Sequence, residues 1–421
     1  MTITVNPSVL EGNVTAPPSK SIMQRACIAA FLAEGESVLG NPCLSEDCLH
    51  LLDALEQLGA KIHSSEAGIH ISGKLQVPTA PINSGESGLG TRLLIPLLST
   101  LDQAVVLNAS GSMKSRPLDA FLQELPKHGV LVETAEKGEL PWTITGPLKS
   151  GNFELDGGLS SQFLSGLLMV LPTLDGDSII EIKDLQSKPY IDLTLEVMEY
   201  FGVSVLHQNY ERFRIPGNQK YKPSSLFIDG DWSSAAALFT AAAVASREPV
   251  RIDEVGGDFT QADQVINGAL LFAGCRIHRE EQNYLIYPGK LRGFQFNAND
   301  CPDLFPVLAA MAVFAKGSSR ISGTNRLIHK ESNRAIAIQE EFKKAGIQVD
   351  LEGDDMIIHP GKVQACTMHS HNDHRIVMAA TVLGLGGASI SIEGADAVNK
   401  SYPGFFEDLK KLGASISGKK K

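Results

Sequence analysis

The chain is organised around one short stretch near its amino terminus, Pro17-Pro18-Ser19-Lys20-Ser21-Ile22-Met23-Gln24-Arg25. The two prolines end any preceding strand, and Ser19 then stands where a helix N-cap is expected. The residues that follow, up to position 32, are apolar and predict a buried helix. The first turn of such a helix has backbone N–H groups without helical partners, which can bind an anion. Ser21 and Arg25 share a helix face, so hydroxyl, ammonium and guanidinium groups meet at this helix start.

The bulk composition is that of a soluble globular protein. The 421 residues are enough for two or three domains, and 43% of them are apolar. The net charge is −11, from 37 basic and 48 acidic residues, which argues against nucleic acid or a membrane as partner. No apolar run approaches the length of a membrane span, and the six cysteines form no C-x-x-C pair. We therefore expect a cytoplasmic protein with free thiols.

An internal repeat runs through the whole chain. Six segments each combine an amphipathic helix, a glycine turn and two strands, and their helix-ending glycines recur every 67 to 73 residues. Glycine suits the left-handed conformation that ends a helix before a strand. The six glycines are Gly59, Gly129, Gly202, Gly274, Gly346 and Gly413.

A second set of six segments alternates with the first. Each of them is an apolar helix rich in small residues, followed by a short turn and a β-branched strand. Helices that are apolar on all sides are expected in the interior. The segments span residues 25–40, 93–110, 165–184, 236–255, 307–323 and 378–394.

Together the two sets predict an α/β protein of six βαβαββ modules, three in each of two domains. The chain is expected to cross between domains near residues 221–225, and its first strand belongs with the carboxyl-terminal half. The predicted domains are therefore 19–225, and 1–18 plus 226–421, with a ligand cleft between them.

Polar and cationic residues precede helices in both predicted domains. A single such stretch is usually an ordinary helix cap, but this many at the same end of successive modules predicts a site for a ligand with several negative charges. A metal at the histidine cluster is disfavoured because Arg375 would repel a cation. The stretches are 84–92, 114–117, 160–163, 187–190, 299–303, 329–334, 369–375 and 399–403.

Five of these motifs, in this order, resemble those of the EPSP synthase family of enolpyruvyl transferases. They are Ser19-Lys20-Ser21 with Arg25, Ser160-Ser161-Gln162, Ser187-Lys188-Pro189-Tyr190, Lys330-Glu331-Ser332-Asn333-Arg334 and Asp373-His374-Arg375. The resemblance implies a two-domain inside-out α/β barrel that closes on its substrates. It implies transfer of the enolpyruvyl group of phosphoenolpyruvate to the 5-hydroxyl of shikimate 3-phosphate, by addition and elimination. No cofactor or metal is implied, and a monomer is expected.

The resemblance also assigns roles to residues at matching positions. Asp303 is the expected base, and Lys20 and Glu331 are both candidates for protonating the methylene carbon. Shikimate 3-phosphate is expected to contact Lys20, Ser21, Arg25, Ser160, Ser161, Gln162, Ser187, Asp303 and Lys330. Phosphoenolpyruvate is expected to contact Lys20, Gly88, Arg116, Gln162, Arg334, Arg375 and Lys400.

The chain departs from the family pattern at two places. The family's Asn-Ala-Gly-Thr loop is Glu86-Ser87-Gly88-Leu89 here, and an inward, ionised Glu86 would repel phosphoenolpyruvate. The aspartate that usually precedes the motif's arginine is Asn333. These changes concern substrate affinity and inhibitor sensitivity rather than reaction type.

Two other functions fit parts of the pattern. The sister family transfers enolpyruvyl to UDP-N-acetylglucosamine, but it typically has Lys-Asn at the opening motif and a cysteine in a mobile loop. Here Ser21 follows Lys20, and no cysteine lies between Cys48 and Cys275. A non-catalytic anion-binding protein of the same fold is the other alternative. The joint presence of Lys20, Asp303 and Glu331 argues against it.

Overall fold

The chain divides into two compact units in a computed structural model that describes residues 1–158 and 160–419. Unit I consists of Pro18–Asp229 and Asp258–Thr260. Unit II consists of Met1–Pro17, Gly230–Gly257 and the segment that begins at Gln261.

The described residues form 24 strands, most of them three to six residues long. Their inward positions are apolar and alternate with polar ones, as expected of sheets with one buried face. In chain order they are β1 Thr2–Val5, β2 Asn13–Thr15, β3 Ser37–Gly40, β4 Ala60–Ser65, β5 Gly68–Gly73, β6 Ile82–Asn83, β7 Val105–Asn108, β8 Leu131–Thr134, β9 Trp142–Thr145, β10 Asn152–Asp156, β11 Ser178–Lys183, β12 Leu206–Gln208, β13 Arg212–Ile215, β14 Ser225–Phe227, β15 Val250–Asp253, β16 Arg276–Glu280, β17 Asn283–Tyr287, β18 Gln295–Asn297, β19 Ser319–Ser322, β20 Val349–Glu352, β21 Asp355–Ile358, β22 Cys366–His369, β23 Ile390–Glu393 and β24 Ile416–Lys419.

Twelve α-helices lie between these strands in the described part of the chain. None of them is both long and apolar enough to cross a lipid bilayer. They are α1 Lys20–Leu32, α2 Glu46–Gln57, α3 Gly88–Leu98, α4 Asp119–Glu124, α5 Gln162–Val170, α6 Pro189–Tyr200, α7 Trp232–Ala245, α8 Ile266–Phe272, α9 Phe305–Ala312, α10 Arg334–Lys344, α11 His374–Gly386 and α12 Phe405–Lys411. Short 3₁₀ helices span Gly111–Ser115, Leu125–His128, Glu136–Gly138, Leu171–Thr173, Ala262–Val265, Pro302–Leu304, Thr324–Leu327 and Ala395–Lys400.

The strands form six four-stranded sheets of one design, in which one parallel pairing is followed by two antiparallel ones. Three sheets lie in each unit, so the predicted six-module repeat is confirmed. Unit I has the orders β14-β3-β5-β4, β6-β7-β9-β8 and β10-β11-β13-β12. Unit II has β2-β15-β17-β16, β18-β19-β21-β20 and β22-β23-β1-β24.

Apart from the short return at Asp258–Thr260, the chain changes units twice, and each time the first strand of a module stays with the preceding unit. Strand β2 pairs in parallel with β15 in unit II, and β14 pairs in parallel with β3 in unit I. The predicted division after residue 225 therefore falls four residues early, because Leu226 is in register with Leu39 and the Ile228 amide donates to the Gly40 carbonyl at 2.9 Å. Strand β1 lies between β23 and β24, as expected for a first strand that belongs with the carboxyl-terminal half.

The odd-numbered helices form the interior of each unit. Every residue of α3 is buried, and α3 contacts both α1 and α5 within unit I. In unit II the buried helices are α7, α9 and α11. Small residues let them approach closely, since a Cβ at Gly166 of α5 would collide with the Arg92 carbonyl of α3. This arrangement confirms that the apolar segments are interior helices.

The six repeat glycines all adopt the left-handed conformation predicted for them. Their φ angles lie between 77° and 100°, a region that costs L-residues with a Cβ about 1 kcal/mol or more. Each follows the exposed helix of its module and turns the chain into the next strand. The helix-ending glycine therefore occupies the same place in every module, and the repeat in the sequence corresponds to a repeat in the structure.

Candidate active site

The start of α1 has the geometry predicted for it. The Ser19 hydroxyl accepts a hydrogen bond from the Ile22 amide at 3.4 Å, which caps the helix. Lys20 Nζ lies 2.7 Å from Asp47 Oδ2 at the start of α2, and both side chains are less than one fifth exposed. An ammonium in a first helical turn is unfavourable to the macrodipole, and Asp47 offsets that cost. This pairing of Lys20 with Asp47 is not predicted by the sequence pattern.

Arg25 is a buried cation with neutral partners. Its guanidinium donates to Thr194 Oγ1, to Ser165 Oγ and to the carbonyls of Ser21 and Tyr190, at 2.8 to 3.5 Å. Burial lowers the pKa of Arg25 to about 10. A buried positive charge without a carboxylate among these partners favours an incoming anion.

The starts of α1, α2 and α3 are tied together by Gln24. Its side-chain amide donates to the Asp47 carbonyl at 3.1 Å and to Ser87 Oγ at 2.8 Å. Ser87 in turn caps α3 through the Gly90 amide at 3.0 Å. Three helix N-termini, each an anion-attracting end, therefore meet around one buried glutamine.

Gly88 and Arg116 are brought into direct contact. A Cβ added to Gly88 would lie 2.7 Å from Arg116 Nη1, so the guanidinium sits against the first turn of α3. Arg92 donates to the Gly88 carbonyl and to Gln162 Oε1, both at 3.1 Å, and thus joins α3 to α5. The predicted residues Gly88, Arg116 and Gln162 form one cluster, in which Arg92 serves as a buried linker.

The predicted serines lie at the starts of α5 and α6. Ser160 Oγ accepts from the Gln162 amide at 3.2 Å, and Ser161 is buried beside it. Ser187 is buried with φ 57°, a left-handed conformation that costs a residue with a Cβ roughly 1–3 kcal/mol. Such strain is concentrated at functional sites, which supports a ligand-binding role for Ser187.

The residues that depart from the family pattern have defined positions in the structure. The Glu86 carboxylate lies over Gly111, where an added Cβ would collide with it, and Leu89 is buried in the first turn of α3. Asn333 caps α10 by accepting from the Ile336 amide at 3.4 Å. Asparagine and aspartate are equivalent as N-caps, so Asn333 preserves the local fold.

In unit II several of the predicted residues gather around Arg334, the first residue of α10. Only 1% of its side chain is exposed, and it donates to three carboxylates. Nη1 lies 2.7 Å from Asp303 Oδ1, Nη2 lies 2.6 Å from Glu331 Oε2, and Nε lies 2.8 Å from Asp373 Oδ2. Asp373 also caps α11 and is fully buried, but the sequence assigned it no role of its own.

Asp303 lies among three cations. Besides Arg334, Lys330 Nζ and Arg375 Nη2 each lie 3.7 Å from one of its oxygens. Burial opposes ionisation, but Lys330, Arg334 and Arg375 outweigh it and hold the pKa of Asp303 well below its usual range. The carboxylate is therefore ionised at neutral pH, and 25% of its side chain is exposed.

The histidine cluster separates into different environments. His371 Nε2 lies 2.7 Å from Glu341 Oε1 on α10, whereas His374 is buried at the start of α11 beside Asp373. Lys400 is buried too, and its ammonium donates to the Asn372 carbonyl at 2.7 Å. Lys400 therefore contacts the loop that immediately precedes α11 and Arg375.

The comparison with solved structures identifies the fold. An EPSP synthase from Acinetobacter baumannii is 25% identical, with a TM-score of 0.80 over 99% of this chain and 100% of that one. The enolpyruvyl transferase NikO from Streptomyces tendae, 16% identical, has a TM-score of 0.78 over 99% and 98% of the two chains. The predicted enolpyruvyl transferase fold is confirmed.

Sequence comparison leads to the same family. The chain is 39% identical to a 3-phosphoshikimate 1-carboxyvinyltransferase of Clostridium kluyveri over 98% of both proteins. It is 36% identical to one of Methanocorpusculum labreanum over 99% of both. The model of the EPSP synthase (3-phosphoshikimate 1-carboxyvinyltransferase) family matches residues 5–409. This chain therefore belongs to the EPSP synthase family.

Proposed function

We propose that this protein transfers the enolpyruvyl group of phosphoenolpyruvate to the 5-hydroxyl of shikimate 3-phosphate, a step of the shikimate pathway to aromatic amino acids. The observation that carries the proposal is Asp303, a carboxylate held ionised by Lys330, Arg334 and Arg375 in a chain of this family. Such a group can take a proton from a hydroxyl while the cations around it hold phosphate and carboxylate.

In this reaction the 5-hydroxyl oxygen attacks C2 of phosphoenolpyruvate and gives its proton to Asp303. The methylene carbon receives a proton from Lys20 or Glu331 and becomes a methyl group. The resulting tetrahedral ketal loses a methyl proton and expels inorganic phosphate, which leaves the enol ether. One C–O bond forms at C2, the C–O bond to phosphate breaks, and the other transfers are of protons, so positioning and charge stabilisation provide the rate enhancement.

Shikimate 3-phosphate is proposed to bind a set of hydroxyl, amide and charged side chains. In unit I these are Lys20, Ser21, Arg25, Ser160, Ser161, Gln162 and Ser187. In unit II they are Asp303 and Lys330. The buried charge of Arg25 and the strained backbone at Ser187 support this assignment.

Phosphoenolpyruvate is proposed to bind a second set of residues that overlaps the first. The set consists of Lys20, Gly88, Arg116, Gln162, Arg334, Arg375 and Lys400. Contact between Gly88 and the Arg116 guanidinium supports the unit I part of the set. The hydrogen bond from Lys400 to the Asn372 carbonyl, in the loop before Arg375, supports the unit II part. Arg334 already forms ion pairs with three carboxylates. We therefore expect it to orient Asp303 and Glu331 as well as to attract the ligand.

Gly88→Ala should raise the KM for phosphoenolpyruvate by roughly tenfold, since a displaced charged hydrogen bond is worth about 1.5–3 kcal/mol. The new methyl group would overlap the Arg116 guanidinium and push it away from the helix start. Steady-state kinetics at saturating shikimate 3-phosphate measure the effect. Gly268→Ala is the control, because a Cβ there meets no atom within 4 Å. An unchanged KM would remove Arg116 from the proposed site.

Lys330 gives the proposed site a pH dependence. Burial lowers the pKa of Lys330 to about 8, although Asp303 opposes the shift. The ammonium is charged below pH 8 and neutral above it, so the KM for shikimate 3-phosphate should rise up to about tenfold from pH 7 to pH 9. Lys330→Arg keeps its charge and should flatten this profile. A wild-type KM that stays constant across this range would contradict the assignment.

The acceptor distinguishes the proposed function from both alternatives. Phosphate release from phosphoenolpyruvate is measured with shikimate 3-phosphate, with UDP-N-acetylglucosamine and without acceptor. We expect phosphate release only in the assay that contains shikimate 3-phosphate as acceptor. Release with only the UDP-sugar would favour the sister activity, and no release with either would favour a non-catalytic protein. The cytoplasmic location and the monomeric state stay predictions.

A further inference from the structure

We propose that Glu36, His63 and His70 form a surface site for a divalent transition-metal ion such as Zn²⁺. The three residues lie on the unit I sheet β14-β3-β5-β4. His63 of β4 and His70 of β5 are directly opposite in register, and His70 is in turn opposite Val38 of β3. Glu36 precedes β3 and shares the face of Val38, two residues away. Three adjacent chain segments therefore supply one donor each.

The distances suit a tetrahedral metal. His70 Nδ1 lies 3.1 Å from Glu36 Oε1, and one donor atom from each residue lies within 4.8 Å of the others. Metal–ligand bonds of about 2.0–2.2 Å place tetrahedral donors roughly 3.3–3.5 Å apart. The two imidazole rings are stacked with centroids 4.5 Å apart, so the exposed His63 must turn its ring for a nitrogen to converge with the other two donors on one ion.

A neighbouring serine holds His70 in the necessary orientation. His70 Nε2 lies 2.8 Å from Ser65 Oγ, which itself accepts from the Ala67 amide at 3.1 Å. This contact directs Nδ1 towards Glu36, the usual role of an outer partner of a metal-bound histidine. None of these residues has a proposed substrate role, so the metal would link β3, β4 and β5 and stabilise unit I without entering the reaction.

Calorimetric titration of untagged protein with ZnCl₂ tests this site. We expect one ion bound per chain with a dissociation constant in the micromolar range, and a rise in melting temperature on binding. His63→Ala and His70→Ala should each weaken binding at least about tenfold. His278→Ala is the control, since it removes a histidine that lies 3.4 Å from Glu280 but belongs to no group of three possible metal ligands among the described residues. Equal binding by wild type and His70→Ala, or no binding at 100-fold excess metal, would overturn the proposal.

A separate observation concerns Asp263, a buried carboxyl group that the reaction does not use. It accepts a short hydrogen bond from Ser233 Oγ, and the Ser233 carbonyl accepts from Arg375 Nη1 at 2.5 Å. Arg375 Nη2 in turn lies 3.7 Å from Asp303 Oδ2. We infer that Asp263 is a positioning residue that holds Ser233, and through it the Arg375 guanidinium, beside Asp303. This inference rests on the proposed function.

The surroundings show why Arg375 needs this support. Its side chain is only 3% exposed, and Nε has no hydrogen-bond partner in the described part of the chain. The Ser233 carbonyl is therefore a major fixed contact of the guanidinium. Burial, followed by the negative charge of Asp303, raises the pKa of Asp263 to about 7. The second cause shows that Asp263 lies close to Asp303.

Asp263→Ala should raise the KM for phosphoenolpyruvate about five- to tenfold with a smaller change in kcat, because binding geometry is lost. Asp263→Asn keeps an acceptor oxygen for Ser233 and should restore most of the affinity. Ser233→Ala breaks the same link with little risk to folding and should also raise KM. Wild-type KM values in Asp263→Ala and Ser233→Ala would overturn the inference. Failure of the proposed function would appear differently, as no turnover by the wild type.

Discussion

Replacing Lys20 with methionine should lower kcat by about a thousandfold, within the range of lost acid–base catalysis, and leave the chain folded. Methionine keeps the length of the side chain but removes the ammonium that faces Asp47 at the start of α1. That leaves Asp47 without this partner, at an expected cost of about 1–3 kcal/mol in the free energy of unfolding. Steady-state kinetics and thermal unfolding of the same preparation measure both effects.

Lys74→Met is the matched control for this variant. Lys74 is also a lysine of unit I, but it is exposed in the loop after β5. Turnover should be unchanged there. If Lys20→Met were as active as wild type, Lys20 would have no part in the chemistry and Glu331 would be left as the proton donor.

Asp303→Asn should lower kcat by about 10² to 10⁴, with little loss of substrate affinity. The amide has nearly the same shape but cannot take the proton of the attacking hydroxyl at neutral pH. It also removes one of the carboxylates that neutralise Arg334, so the buried guanidinium keeps only Glu331 and Asp373. The pre-steady-state rate of ketal formation isolates the step that is expected to slow.

Asp355→Asn provides the comparison for Asp303. Asp355 is likewise 25% exposed and lies 2.5 Å from an arginine, Arg320, but it is on a surface sheet of unit II. Its loss should change kcat by less than a factor of two. An Asp303→Asn enzyme with wild-type kcat would require another base for the hydroxyl.

The repeat made most of the fold predictable. Glycines such as Gly59 and Gly413 end a helix in the left-handed conformation, so their regular spacing predicts where each module's helix ends. The boundary between units was less predictable, because β14 has only three residues and one buried position. Its pairing with β3 is a long-range contact, and the local sequence does not encode it.

Candidate site residues could be proposed from the sequence, but their contacts could not. Lys20 and Asp47 are 27 positions apart, and Arg334 joins Asp303 and Asp373 from three different segments. Arg25 and Arg334 are each buried arginines of a motif, yet one has neutral partners and the other has three carboxylates. Tertiary packing makes this difference, so no motif could distinguish them.

The most direct test of the proposed function is the structure of the product formed from phosphoenolpyruvate labelled with ¹³C at C2. In the presence of shikimate 3-phosphate, NMR should show the labelled carbon as an enol ether on the 5-oxygen, together with one equivalent of inorganic phosphate. Without the acceptor the labelled compound should stay unchanged. Unchanged phosphoenolpyruvate in the presence of acceptor, or labelled pyruvate formed at the same rate with and without it, would contradict enolpyruvyl transfer by this protein.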